Sequence, residues 1–121
     1  MNTWLLAATV LAVVVGLIHS LLGEVLIFRR QPRDAAGRRR LQRPFDILWA
    51  CWHIATVFGL ALAALLWQLA AMPEPLALRG FLLNVVAIAY AVSALLVLFG
   101  TRGRHPGWAG LGGVAVLVML A

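Results

Sequence analysis

Three ionisable side chains interrupt the first two apolar segments of this sequence: His19 and Glu24 lie in the first, and His53 lies in the second. An ionisable group at membrane depth is costly, so its presence is by default a hypothesis about function. Paired imidazoles are what a transition metal, a haem iron or a proton relay requires, and a nearby carboxylate can pass on a charge. We therefore take His19, His53 and Glu24 as the candidate ligand-binding or metal-binding residues.

Four apolar segments must position these side chains, at about residues 4–28, 45–72, 80–99 and 106–121. A helix crosses a hydrocarbon core of about 30 Å with roughly 20 residues, so the first three segments are long enough and the fourth is marginal. The segments are apolar throughout instead of alternating, which excludes a closed β-barrel. The chain has 121 residues, of which 64% are hydrophobic. It predicts a single domain over 1–121, an all-α polytopic membrane protein with four transmembrane helices in an up-down bundle.

The arginines predict the orientation of this bundle, because all ten basic residues of the chain are arginine. Seven lie in the first connection: Arg29, Arg30, Arg33, Arg38, Arg39, Arg40 and Arg43. Arg102 and Arg104 lie in the third connection, and only Arg79 lies in the second. Short cytoplasmic loops collect arginine. We therefore expect a protein of the bacterial cytoplasmic membrane, with the first and third loops on the cytoplasmic side and both termini on the outside. The basic first loop then faces anionic lipid, and we expect no nucleic acid as a partner.

Helical rise predicts a polar layer near the middle of the membrane. His19 and Tyr90 are each ten residues from the inner boundary of their segments, and His53 is nine residues from its own. At about 1.5 Å per residue, all three lie roughly 14 to 15 Å from the inner edge. The hydroxyl groups of Ser20 and Thr56 lie close to the same layer, so we take these two residues, with the tyrosine, as supporting groups.

The spacing along the second helix predicts how the histidines meet. Trp49, His53 and Thr56 are separated by four and three residues and share one face, whereas Trp52 points elsewhere. We expect the imidazoles of His19 and His53 to face each other across the interface of helices one and two, with the tyrosine within reach. The alternative is packing alone, in which a histidine makes a hydrogen bond to a hydroxyl group of a neighbouring helix.

Other residues receive structural assignments. Glu24 lies about 7 Å from the inner edge, where it can pair with an arginine or pass a charge inward. Pro44 is expected in the first turn of helix two. His105 is expected at the interface between membrane and water.

Helix four carries a stripe of small residues: Gly107, Gly110 and Gly113. Such a stripe invites a neighbouring helix, so we expect a parallel homo-oligomer or a larger membrane complex.

Three short motifs carry a resemblance to a group of known proteins. They are H-S-x-x-G-E at residues 19–24, W-H-x-x-T at 52–56 and R-H-P-G-W at 104–108. The set resembles small, uncharacterised four-helix integral membrane proteins of bacteria. That resemblance implies the same fold and a membrane location. Because the group has no assigned activity, the resemblance transfers no catalytic residue.

Three functions from different classes remain open. The first is binding or transport of a metal cation or of protons by His19, His53 and Glu24. The second is a b-type haem or quinone-linked membrane subunit with the two histidines as axial ligands. The third is a scaffold or accessory subunit without a ligand. The sequence shows no paired nucleophile and base, no metalloprotease spacing and no phosphate-binding loop, so an enzyme of soluble substrates has the least support.

Overall fold

The protein is a bundle of α-helices, and the computed structural model describes residues 1–30, 35–72 and 77–121 of it. The helices in these residues are α1 (Thr3–Leu26), α2 (Ala35–Ala71), α3 (Ala77–Gly100) and α4 (Gly107–Met119). A short 3-10 turn, Phe28–Arg30, follows α1. The described residues contain four α-helices and no strand, which confirms the predicted all-α class.

Three stretches of helix are long and apolar enough to cross a membrane: Thr3–Arg30, Pro44–Ala71 and Leu78–Gly100. Helix α4 has 13 residues. At 1.5 Å per residue it reaches only about 20 Å, which is less than the hydrocarbon core of about 30 Å. The chain is therefore a helical membrane protein, with three full-length spans and one short apolar helix among its described residues.

Helix α2 begins earlier than its sequence predicts. We expected it to start at residue 45 with Pro44 in the first turn, and this is wrong. The helix begins at Ala35 and carries Pro44 in its interior. Residues 35–43 are mostly Ala, Arg, Leu and Gln, which have high helix propensity. Proline removes one backbone hydrogen bond, and the helix nevertheless continues through it to Ala71.

The tightest packing lies at the end of the bundle that holds the chain termini. Buried apolar side chains from all four helices fill it: Leu5, Ala8, Ala63, Leu66, Leu69, Leu83, Val86, Val114 and Val118. Asn2 joins three parts of the chain here. Its side-chain oxygen accepts from the Leu5 N–H at 3.1 Å, and its side-chain nitrogen donates to the Ala121 carbonyl at 3.2 Å. Its backbone N–H donates to the Ala70 carbonyl at 3.0 Å.

The helices pack unequally around the bundle. Helix α1 packs along α2 and α4, and α4 packs along α3, whereas α2 and α3 touch at only a few points. Small residues allow the close approaches. A Cβ added at Gly16, for example, would lie 3.5 Å from Leu60 Cδ2. The contacts of α1 and α4 therefore hold most of the bundle together.

The glycine stripe of α4 faces another helix of the same chain. A Cβ at Gly110 would lie 2.7 Å from Val15 Cγ2, and one at Gly113 would lie 3.0 Å from Leu11 Cδ2. Both contacts are with α1. The stripe therefore does not serve as a free surface for a neighbouring subunit, which was the argument for a parallel homo-oligomer. The oligomer itself stays a prediction.

Candidate functional site

Polar residues of α1 and α2 meet at the end of the bundle where α1 ends and α4 begins. We call it the arginine end, because Arg29, Arg30, Arg102 and Arg104 lie there. Since α1 and α2 pack along each other, residues at equal distances from this end become neighbours.

Five side chains form a connected group at this interface, which we call the Glu24 cluster: Ser20, Glu24, Arg29, Trp49 and His53. Ser20 Oγ lies 3.2 Å from His53 Nδ1, within hydrogen-bond distance. His53 Nε2 lies 3.8 Å from Glu24 Oε2. Trp49 Nε1 donates to the same carboxylate oxygen at 3.2 Å, and Arg29 Nε lies 3.6 Å from Glu24 Oε1. The predicted pairing of Glu24 with an arginine is confirmed.

The Glu24 cluster becomes more exposed toward the arginine end. The side chains of His53, Glu24 and Arg29 are 28%, 36% and 71% exposed. His53 Nε2 is itself buried and has no hydrogen-bond partner among the described residues. Trp49 covers the imidazole edge-on, with ring centroids 4.5 Å apart. The result is an imidazole bonded at one nitrogen, with a carboxylate close to the other.

Trp52 is the main contact of His19. Its indole stacks on the imidazole, with centroids 4.2 Å apart and an interplanar angle of 5°. Its Nε1 donates to the His19 carbonyl at 3.0 Å, and Phe28 packs edge-on against it at 5.9 Å. Gly23 makes room for the indole, because a Cβ there would lie 2.5 Å from Trp52 Cε2. From the sequence, Trp52 was expected to point away from this interface. The feature of the sequence that could have indicated this contact is Gly23, which lies one helical turn after His19.

A cavity of about 650 Å³ lies beside this stack, between α1, α2, α3 and the beginning of α4. Its walls are mostly aliphatic, and five polar residues line it: His19, Thr56, Tyr90, Ser93 and His105. The sequence predicted His105 at the interface between membrane and water and did not indicate this cavity. His105 Nδ1 accepts a hydrogen bond from the Gly107 N–H at 3.0 Å. The only signal for its position was its place one residue before the proline that precedes α4.

The structure gives the two predicted histidines different neighbours. His19 lines the cavity and stacks on Trp52, whereas His53 bonds to Ser20 and approaches Glu24. Among the described residues, no three or more His, Cys, Asp or Glu side chains form a group that could hold a metal ion. The two imidazoles therefore belong to two adjoining sites, the cavity and the Glu24 cluster.

The predicted supporting residues also divide between these sites. Trp49 and Ser20 belong to the Glu24 cluster, and Thr56 lies on the cavity wall. Tyr90 donates to the Gly59 carbonyl at 3.4 Å. Gly59 lies six residues beyond His53 on α2, or about 9 Å along the helix axis. Tyr90 thus meets α2 well away from the level of the histidine.

The basic first connection is only partly described. Arg29 and Arg30 have exposed side chains at the arginine end. Arg33 and the side chains of four further arginines lie outside the described residues: Arg38, Arg39, Arg40 and Arg43. Their expected role at an anionic lipid surface stays a prediction.

Comparison of the chain with known protein families, with curated proteins and with solved structures finds no match. The resemblance in the three sequence motifs therefore stays a prediction. The argument for function rests on the Glu24 cluster and the cavity.

Proposed function

We propose that this chain is a small integral membrane protein that conducts protons, with His53 and Glu24 as the groups that carry them. The observation that supports this most directly is the His53 imidazole. It is hydrogen-bonded at Nδ1 and holds Nε2 3.8 Å from the Glu24 carboxylate. Histidine is the side chain whose ordinary titration range lies nearest physiological pH, so it suits repeated uptake and release of a proton.

Four members of the Glu24 cluster have separate parts in this transfer. The Ser20 hydroxyl group gives its proton to His53 Nδ1 and takes one back from water, and His53 releases the proton that it carries on Nε2. A movement of about 1 Å brings Nε2 within hydrogen-bond distance of Glu24 Oε2, which receives the proton. Arg29, with a 71% exposed side chain, marks where the carboxylate reaches water and gives the proton up.

The same geometry favours protons over a bound metal or haem. Among the described residues, His19, His53 and Glu24 do not form a group that could hold a metal ion. Ligation of haem by two histidines requires both imidazoles to approach one macrocycle. His53 is not among the residues that line the cavity beside His19. Stoichiometric zinc, copper or iron in the purified protein, or a Soret band in its absorption spectrum, would reverse this preference.

Proton flux into liposomes tests the proposal. The protein is reconstituted with a pH-sensitive dye inside the vesicles, and a potassium diffusion potential set by valinomycin drives protons inward. The wild-type protein is expected to change the internal pH faster than protein-free liposomes do. Glu24→Gln and His53→Phe are each expected to slow the flux by about a hundredfold, the low end of what a proton-transferring group contributes.

Two matched variants control for the changes in charge and ring. Asp46→Asn removes an exposed acid of α2 outside the Glu24 cluster, and His105→Phe removes an exposed histidine outside it. Both are expected to conduct like the wild type. Wild-type flux equal to that of empty liposomes, or full flux through a folded Glu24→Gln variant, would contradict the proposal. The Glu24 cluster would then act only in helix pairing, as in the scaffold alternative.

A further inference from the structure

The cavity beside His19 has no part in the proposed proton transfer. Its volume of about 650 Å³ falls in the range of sites that bind small molecules, which are mostly apolar with a few polar groups. Leu11, Leu62 and Leu111 are among its aliphatic lining residues. The cavity therefore suits a largely apolar molecule that carries a small polar group.

The hydroxyl groups that line the cavity already donate hydrogen bonds within the protein. Each donates to a backbone carbonyl: Thr56 to Trp52 at 3.3 Å, Tyr90 to Gly59 at 3.4 Å and Ser93 to Ala89 at 2.8 Å. A hydroxyl oxygen keeps acceptor capacity after it donates. The three groups can therefore accept hydrogen bonds from a ligand, but they cannot donate to it without breaking a bond to the backbone.

The imidazole of His19 adds one adaptable group to these acceptors. Its Nε2 is buried and has no hydrogen-bond partner among the described residues. A buried polar group without a partner costs stability, and a ligand recovers this cost where the ring moves to bring the nitrogen to the cavity surface. The parallel rings of His19 and Trp52 also form an aromatic wall, 4.2 Å between centroids, beside which a planar ring packs well.

We propose that this cavity binds a lipophilic phenol or hydroquinone. The planar ring lies beside His19 and Trp52, and its hydroxyl group donates to the imidazole, with the hydroxyl oxygens of the wall as further acceptors nearby. The hydrocarbon part lies among the leucines. Such a molecule enters from the surrounding lipid between α2 and α3, which touch at only a few points. An ether or a quinone of the same shape has no hydroxyl hydrogen and binds more weakly.

A pair of probes that differ only in this hydrogen tests the proposal. Binding of 4-nonylphenol and of its methyl ether, 4-nonylanisole, is measured by equilibrium dialysis against nanodiscs with and without the protein. Subtracting the empty nanodiscs removes partitioning into lipid. The wild-type protein is expected to bind the phenol saturably and about tenfold more tightly than the ether, the effect of one hydrogen bond. Decylhydroquinone is expected to bind more tightly than decylbenzoquinone for the same reason, and its affinity compared with that of 4-nonylphenol distinguishes a hydroquinone from a simple phenol.

Variants locate the site in the cavity. His19→Phe keeps a ring against Trp52 but removes both nitrogens, so the preference for the phenol is expected to fall to about twofold or less, since the hydrogen bond is lost. His53→Phe, which changes a residue of the Glu24 cluster, is expected to keep it. If His19→Phe does not fold, Thr56→Val removes one acceptor at nearly constant shape and is expected to reduce the preference. Equal wild-type binding of phenol and ether, or an equal loss in both histidine variants, would overturn the proposal.

Discussion

Replacing Gly23 by alanine tests the packing that positions Trp52 against His19. The new Cβ would lie 2.5 Å from Cε2 and 2.8 Å from Cδ1 of the indole, so the indole must move. Its hydrogen bond to the His19 carbonyl and its stack on the imidazole are then lost. The hydrogen bond contributes about 1 kcal/mol and the aromatic pair about 1 kcal/mol, so we expect the free energy of unfolding of Gly23→Ala to lie about 2 kcal/mol below that of a glycine-to-alanine change without a clash.

Gly59→Ala is the matched control, because a Cβ at Gly59 meets nothing within 4 Å. Both variants gain the same helix propensity, so their difference isolates the clash with the indole. The measurement is equilibrium unfolding in mixed detergent and SDS micelles, followed by far-UV circular dichroism. Trp52→Leu removes the crowded atoms, so Gly23→Ala should cost less in that background. Equal stability of the Gly23 and Gly59 variants, or an unchanged cost beside Trp52→Leu, would refute the reasoning.

Two further predictions concern the ends of the helices and the orientation of the chain. Asn2→Ala removes the side-chain cap of α1 and the bond to the last residue, so we expect a loss of about 1 kcal/mol in the same unfolding assay; the exposed Asn84→Ala of α3 should cost little, and equal losses would contradict the capping role. In a Cys51→Ala background, cysteines placed at Ala36 and at Glu74, which lies outside the described residues, should be labelled from opposite sides of the membrane. Labelling of both from one side would exclude the predicted topology.

Depth counted from the sequence predicted the contacts between α1 and α2 well. Ser20 and His53 were placed near one level by helical rise alone, and they lie within hydrogen-bond distance. Glu24 was expected to pair with an arginine or to pass a charge inward, and it pairs with Arg29, five residues along the same chain. The Ser20–His53 contact follows from one antiparallel helix pair and the constant rise of the α-helix, and the Glu24–Arg29 contact follows from closeness in the sequence.

Features that depend on a third helix could not be predicted in this way. Tyr90 meets α2 at Gly59 instead of near His53, because the level of α3 relative to α2 follows from its packing on α4. The same limit hid His105, which reaches the cavity only because α4 packs between α1 and α3. Equal counts from the membrane edge do not fix such offsets, since side-chain packing sets how far each helix slides along its neighbour.

Helix geometry also explains why the two histidines, which were predicted to share one site, lie in two different sites. Successive residues of an α-helix are turned by about 100°, so His19 and Ser20 leave α1 in different directions. Trp52 and His53 likewise leave α2 in different directions. His19 therefore meets Trp52, and Ser20 meets His53. The first pair lines the cavity and the second belongs to the Glu24 cluster.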